Sequence, residues 1–288
     1  MSDMSWEQAV QWLRDRPDQQ ALVRACYFDD PLAEAAERFW HSEEWKAIAT
    51  LLPPASGRAL DMGAGRGISS YALARDGWQV TALEPDPSDL VGAGAIRALV
   101  RDTGYTIDIV AEYSEKLPFA DATFAVINCR QVLHHARDLQ QTCSEIFRVL
   151  KPGGVMIATR EHVLTTRADL DMFLQQHALH KFYGGENAFM LDEYLGAMRE
   201  AGLRVYKVMA PLDTPINYFP MTVDQQFVHC TRPVAEKIGQ PLTNALFSRR
   251  HPLGRFLFKR LVAAINARDN TPGRLYSFLA ARPKDGNT

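Results

Sequence analysis

The run Leu60-Asp61-Met62-Gly63-Ala64-Gly65-Arg66-Gly67 constrains this chain more than any other stretch. Arg58-Ala59-Leu60-Asp61-Met62 reads as a short strand. The glycines then interrupt it, and a helical stretch through Tyr71 and Leu73 follows. Glycine has no Cβ, so a ligand can approach the backbone closely at such a turn. Open α/β sheets bind ligands at this place, outside the carboxyl ends of their strands.

The same alternation continues downstream. Residues 78–83, 106–110, 123–128 and 155–159 read as strands, with one helix through Tyr71 and Leu73, one over roughly 87–102 and another ending at Val149-Leu150. Lys151-Pro152-Gly153-Gly154 reads as the turn into the fifth strand. Leu191 to Ala201 is helical and Gly202 ends it; residues 203–209 and 274–280 make the last two strands. Strands alternating with helices imply an α/β fold, here a doubly wound, seven-stranded, mostly parallel sheet. We expect a single domain over 1–288. It comprises an N-terminal helical cap (1–55), a core (56–210), a helical insertion or lid (211–272) and a last strand (273–284).

Composition narrows the class. Of 288 residues, 47% are apolar and 23% charged, which suits a chain with a real core and excludes disorder or a coiled coil throughout. The net charge of −2 gives no whole-chain sign of a nucleic-acid partner. No apolar run is long enough to span a bilayer. Asp3 and Glu7 stand where a signal peptide needs base. Cys26, Cys129, Cys143 and Cys230 form no CxxC pair, so a cytoplasmic location is expected.

Two cofactors use turns of this kind. A dinucleotide needs G-x-G-x-x-G, so that its pyrophosphate meets the helix N-terminus. Counting from Gly63, the third glycine would fall at Ile68; the actual spacing is G-x-G-x-G. Asp61 would repel a pyrophosphate and attract a cation. S-adenosylmethionine carries a sulfonium and an ammonium group and no phosphate. Glu84, at the end of the second strand, suits a ribose diol in either case.

With these residues in view, the sequence resembles the class I S-adenosylmethionine-dependent methyltransferases of small-molecule type, over roughly residues 56–210 plus the final strand. Asp61 to Gly67 is similar to the family's first motif, and Glu84 to its ribose-binding acid. Ser114-Glu115-Lys116-Leu117-Pro118-Phe119 is similar to its adenine-side segment. Val132-Leu133-His134-His135-Ala136-Arg137-Asp138-Leu139 resembles the helix start after its fourth strand, and Val149 to Gly154 the turn into its fifth. The resemblance implies a Rossmann-like fold with Asp61, Gly63, Ala64, Gly65, Glu84, Pro85, Ser114 and Glu115 around the cofactor, lined also by Cys129 and Arg130. Where the family often has an Asp before Ser114, this chain has Tyr113, leaving adenine to stacking, to the Ser114 N–H or to Glu115.

The resemblance further implies methyl transfer to an oxygen or nitrogen of a small molecule, such as a sugar or secondary metabolite. His134 is the preferred base, with capping or packing as the structural alternative for it or His135. Arg160-Glu161-His162, at the rim after the fifth strand, orients substrate, with Glu161 and His162 as further catalytic candidates and Arg160 as a substrate contact. Tyr27 and Tyr183 are the remaining substrate candidates. His177 and His180 on one helical turn, with Glu161, His162 and Glu186, lack a complete ligand motif, so no metal is expected.

Residues 231–284 carry eleven Lys/Arg against Glu236 and Asp269, a local balance of +9 that leaves about −11 elsewhere. Such asymmetry marks an anionic partner, a membrane surface, or a helix packed on a second subunit. A homodimer would form through this insertion or the N-terminal helices. Asn128-Cys129-Arg130-Gln131 lacks the family's Asn/Asp-Pro-Pro-aromatic signature of nucleic-acid amino-methylation, and Cys129 lacks a preceding Pro, which disfavours DNA. The alternatives are a cofactor-binding protein without catalysis, an RNA methyltransferase using the basic insertion, and an NAD-linked oxidoreductase.

Overall fold

A computed structural model of the chain describes residues 4–177, 180–183 and 185–284. Four helices open it: α1 (Trp6–Arg14), α2 (Gln20–Ala25), α3 (Leu32–Trp40) and α4 (Glu43–Ala49). Their starts are written in the sequence. Ser5 Oγ accepts from Gln8 N at 3.2 Å while Gln8 Oε1 accepts from Ser5 N at 2.8 Å, and Ser42 Oγ accepts from Trp45 N at 3.0 Å.

The alternating region follows as β1 (Arg58–Met62), α5 (Ile68–Arg75), β2 (Gln79–Leu83), α6 (Ala93–Thr103), β3 (Ile107–Val110), β4 (Phe124–Arg130), α7 (Leu139–Val149) and β5 (Leu150–Leu164). Next come α8 (Leu170–Gln176), α9 (His180–Tyr183), β6 (Phe189–Met190), α10 (Leu191–Glu200) and β7 (Arg204–Met209). The insertion supplies α11 (Pro215–Tyr218), α12 (Val223–Ile238), α13 (Gln240–Leu246) and α14 (Pro252–Asn266), and β8 (Arg274–Ala281) closes the fold.

The sheet runs β3-β2-β1-β4-β5-β8-β7, with β6 paired to β5 off this path. Pairs up to β4–β5 are parallel, and β8 lies antiparallel to both β5 and β7. Strand order reverses between β1 and β4, which opens a crevice at their carboxyl ends. Alternation divides the buried residues into two cores. Ala59, Val80, Val126 and Ile157 join Phe39, Trp45 and Leu73 in one; Leu60, Met62, Ile127 and Met156 join Ile146 and Tyr194 in the other.

The eight strands include the seven expected. The eighth is the two-residue β6, too short to leave a period. The turn expected at 151–154 is instead part of β5, which runs for 15 residues. There Gly153 N donates to Arg282 O and Arg282 N to Gly154 O, so β8 extends the pairing through the glycines. Helix α6 starts at residue 93 rather than near 87. A Cβ on Gly92 would lie 2.1 Å from Asp86 O, so the chain before it is a tight turn. His177 caps the end of α8 and His180 opens α9, so the two imidazoles do not share a helical turn.

The cap and the insertion are tied to the sheet by buried polar contacts. Arg130 on β4 donates to Glu44 on α4 through Nε at 2.7 Å and through Nη2 at 3.2 Å. The Glu44 side chain is wholly buried. Arg160 donates to the carbonyls of Ile216 and Phe219, at 2.9 and 3.1 Å. Asn217 Nδ2 donates to Met209 O at 2.8 Å. Removing one member of a buried ion pair strands the other, at about 3–5 kcal/mol. Glu44→Ala should therefore lower unfolding stability by about that amount in urea titrations; a loss below ~1 kcal/mol would show that Arg130 is not held by this pair.

Candidate active site

The crevice at the β1–β4 reversal is a cavity of about 670 Å³. Its floor is the glycine turn between β1 and α5. Gly63 and Gly65 have φ of 64° and 54°, a region that favours glycine, and a Cβ on Gly63 would lie 2.7 Å from Val132 Cγ2. The turn is pinned by Ala64 N donating to Leu83 O at 3.0 Å and Gly65 N donating to Glu84 Oε2 at 2.6 Å.

Two carboxylates frame this end. Asp61 Oδ2 accepts from Ser70 Oγ at 2.6 Å and Oδ1 from Asn128 Nδ2 at 2.8 Å. Burial pushes its carboxyl up to about 6, against those hydrogen bonds. Glu84 Oε1 also accepts from Asp86 N at 2.9 Å. Burial pushes it up to about 7, against the N–H groups of Asp86 and Gly65.

The other end is lined by histidines. Glu161 on β5 is fully buried and gathers three donors: Val132 N at 3.2 Å, His134 N at 3.0 Å and His134 Nδ1 at 2.7 Å. Burial opposes charge on both residues. Even so, the hydrogen bond to Glu161 and the Glu186 carboxylate 3.6 Å away hold the His134 imidazole at about 9, and the His134 contact keeps the Glu161 carboxyl below its usual range. His162 Nδ1 lies 2.8 Å from Gly273 O, which can only accept, so Nδ1 carries the proton and Nε2 the lone pair. Burial and the neighbouring His134 charge lower His162 to about 3. Glu186 Oε2 lies 3.6 Å from His134 Nε2, and Glu186 Oε1 lies 3.7 Å from His177 Nε2.

Most of the expected site residues meet here. Asp61, Gly63, Ala64, Gly65, Glu84 and Pro85 line one end, Ser114 and Glu115 the wall beside it, and Tyr27, His134, His162 and Tyr183 the remainder. Arg130 reaches the lining with its guanidinium committed to Glu44. Three expectations are corrected. Cys129 is fully buried in the sheet core, paired with Met62 and Ala158, and does not line the cavity. Arg160 points away, to the α11 carbonyls. Glu161 sits behind the wall, hydrogen-bonded to His134, and does not itself line the cavity.

The insertion was expected among the pocket walls, yet none of residues 211–272 lines the cavity. Among the described residues, α1, the 26–28 segment and the 177–186 segment close it instead. Trp6 packs against Tyr183 at 4.7 Å between ring centroids with the ring planes tilted by 53°, a contact with no signature in the helical pattern of α1. His135 and Glu186 also line the cavity. His135 was read only as part of a helix start, and Glu186 as part of an incomplete ligand set.

The lining suits a cationic nucleoside. A glycine bend that a Cβ would fill stands beside five carboxylates: Asp61, Glu84, Glu112, Glu115 and Glu186. Of three guanidinium groups, Arg66 is spent on Tyr27 O, Asp29 O and Asp30, and Arg130 on Glu44. Among the described residues, no lysine lines the cavity to meet a diphosphate. Because Glu84 and Asp61 ionise only around pH 7 and 6, affinity for S-adenosylmethionine should fall as pH drops from 8 to 5.5. Calorimetric titration across that range checks this, and a flat profile would remove these carboxylates from cation recognition.

Comparison with known proteins agrees. Residues 60–158 match the family described as "Methyltransferase domain". A ubiquinone biosynthesis O-methyltransferase of Xanthomonas axonopodis pv. citri is 30% identical over 138 residues, 43% of this chain and 56% of that protein. An uncharacterized methyltransferase of Mycobacterium sp. (strain JLS) is 33% identical over 113 residues, 39% and 42% of the two chains. The chain thus spans about half the length of the curated relatives it matches. Among solved structures, geranyl diphosphate C-methyltransferase from Streptomyces coelicolor A3(2) superposes with a TM-score of 0.57 at 14% identity, covering 88% of this chain and 85% of that one. The fold's carboxylate-framed glycine turn, the order of the motifs that follow it and these likenesses agree: residues 60–158 carry a methyltransferase domain, and the likenesses support a class I S-adenosylmethionine-dependent methyltransferase.

Proposed function

We propose that the protein moves a methyl group from S-adenosylmethionine to an oxygen, or failing that a nitrogen, of a small molecule. The observation that carries this reading is the single cavity whose glycine-and-carboxylate end continues into a histidine-lined end. The named activity of the Xanthomonas relative supports oxygen as the acceptor atom. A pocket of about 670 Å³ closed by Trp6 and Tyr183 suits a small acceptor better than a polynucleotide. Four free thiols, three of them buried, support a reducing, cytoplasmic setting.

S-adenosylmethionine, when bound, supplies an electrophilic methyl and its own leaving group. What remains for the chain is alignment, exclusion of water and removal of the acceptor's proton. Gly63, Gly65, Asp61 and Glu84 would hold the donor. His134 presents Nε2 to the acceptor end while Glu161 fixes its ring through Nδ1; held at about 9, the imidazole must first lose its Nε2 proton, and Nε2 is then the atom assigned to receive the acceptor's, so turnover should rise as pH is raised from 7 toward 9. Glu161 is a positioning residue.

Incubating the protein with methyl-labelled S-adenosylmethionine and a metabolite extract tests the reading. Label should pass to a small product, and retained label with tight cofactor binding would leave a binding protein instead. Asp61→Ala should weaken S-adenosylmethionine binding by about 1–3 kcal/mol, the scale of a charge-assisted contact. His134→Ala should lower turnover by about 100-fold or more while leaving that affinity within twofold. Unimpaired turnover would remove His134 from the chemistry.

A further inference from the structure

The acceptor end of the cavity contains a set of clustered ligating atoms that proton removal by one imidazole does not use. His134 and His162 lie with ring centroids 4.7 Å apart. Both donate their Nδ1 protons away from the cavity, His134 to the Glu161 carboxylate at 2.7 Å and His162 to Gly273 O at 2.8 Å. This is how proteins orient metal-ligating histidines: an outer acceptor fixes the tautomer and leaves Nε2 as a lone-pair donor. Glu186 faces them with a side chain only 6% exposed, and its Oε2 is buried without a hydrogen-bond partner. One ligating atom from each of His134, His162 and Glu186 lies within 4.8 Å of the others.

The spacing also fits. Two ligands about 2.0–2.2 Å from a tetrahedral ion lie about 3.4 Å apart. His134 Nε2 and Glu186 Oε2 are 3.6 Å apart. A fourth group is at hand, since His177 Nε2 stands 3.7 Å from Glu186 Oε1. Tyr183 donates its hydroxyl proton to Glu186 Oε1, which leaves Oε2 as the free oxygen.

We propose that His134, His162 and Glu186 bind a divalent first-row transition-metal ion, with Zn²⁺, Mn²⁺ and Fe²⁺ as the chemical class. Two imidazoles and one carboxylate match the preferences of these ions rather than the all-oxygen shells of Mg²⁺ or Ca²⁺. Three protein ligands leave positions open toward the cavity, and an acceptor hydroxyl or vicinal diol fills them. This deepens the methyltransferase reading and rests on it. A hydroxyl bound to such an ion ionises near neutral pH, releasing its proton to water; its oxygen lone pair then forms the new bond to the methyl carbon as the carbon–sulfur bond breaks, its electron pair stays on sulfur and S-adenosylhomocysteine leaves. His134 then serves as a ligand, and the ion takes over its role in ionising the acceptor.

Co²⁺ titrated into the chelator-stripped, full-length protein without an affinity tag provides the test. We expect one equivalent to bind with a visible ligand-field absorption. Affinity should fall about tenfold or more in Glu186→Gln and in His162→Ala, and about 10–100-fold in Glu161→Gln, which touches no ion but orients His134. Retained S-adenosylhomocysteine binding in each variant shows that it is folded. No uptake by the wild type, or equal uptake by wild type and variants, overturns the site. S-adenosylhomocysteine binding by the stripped wild type tests the donor reading separately: with it intact, a failed Co²⁺ titration removes the ion alone, and without it the donor reading falls.

Discussion

The carboxylate of Asp61 holds the site's architecture together. It lies at the carboxyl end of β1, where the strand order reverses, and both its oxygens are taken, one by Ser70 on α5 and one by Asn128 on β4. Those two bonds join the strand before the glycine turn to the helix after it and to the strand across the crevice. An anion so deeply buried is costly unless it is hydrogen-bonded or paired with a positive charge. Its two partners offset part of that cost, and burial still raises its proton affinity. The strand ends are thereby held in register by a group that favours a cation above them.

A second buried carboxylate does for the acceptor end what Asp61 does for the donor end. Glu161 receives two backbone N–H groups and one ring N–H, and so fixes the short helical turn carrying His134 as well as the imidazole itself. Asp61 on β1 and Glu161 on β5 stand on either side of β4 in the sheet, and the cavity lies between what they hold.

Much of this was legible in the sequence. The glycine spacing and the period-two strands located the crevice, and the acids Asp61 and Glu84 indicated the sign of charge it welcomes. Side-chain direction was not legible where neighbouring residues at one strand end diverge. In Arg160-Glu161-His162, the arginine reaches the α11 carbonyls, the glutamate turns behind the cavity wall, and only the histidine faces the cavity. A register shift between β5 and β8 falls within this stretch, after Ala158, so simple alternation does not describe it. Cys129 was misplaced for the opposite reason: it obeys the pleat, which puts it in the core. Contacts across long sequence distance were also hidden. Trp6 meets Tyr183, and Glu186 meets His134, through packing that no local pattern records.

The length of β5 has a consequence for how this protein chooses what it modifies. Glu161 and His162 stand on a strand that pairs with β4 up to Thr159 and with β8 at these two residues themselves, so both are held within the sheet. The groups that complete the chamber, Tyr183, Glu186 and Trp6, come from outside that lattice. Appetite for one molecule over another can thus be rewritten by exchanging an outer wall, with the reactive machinery left standing.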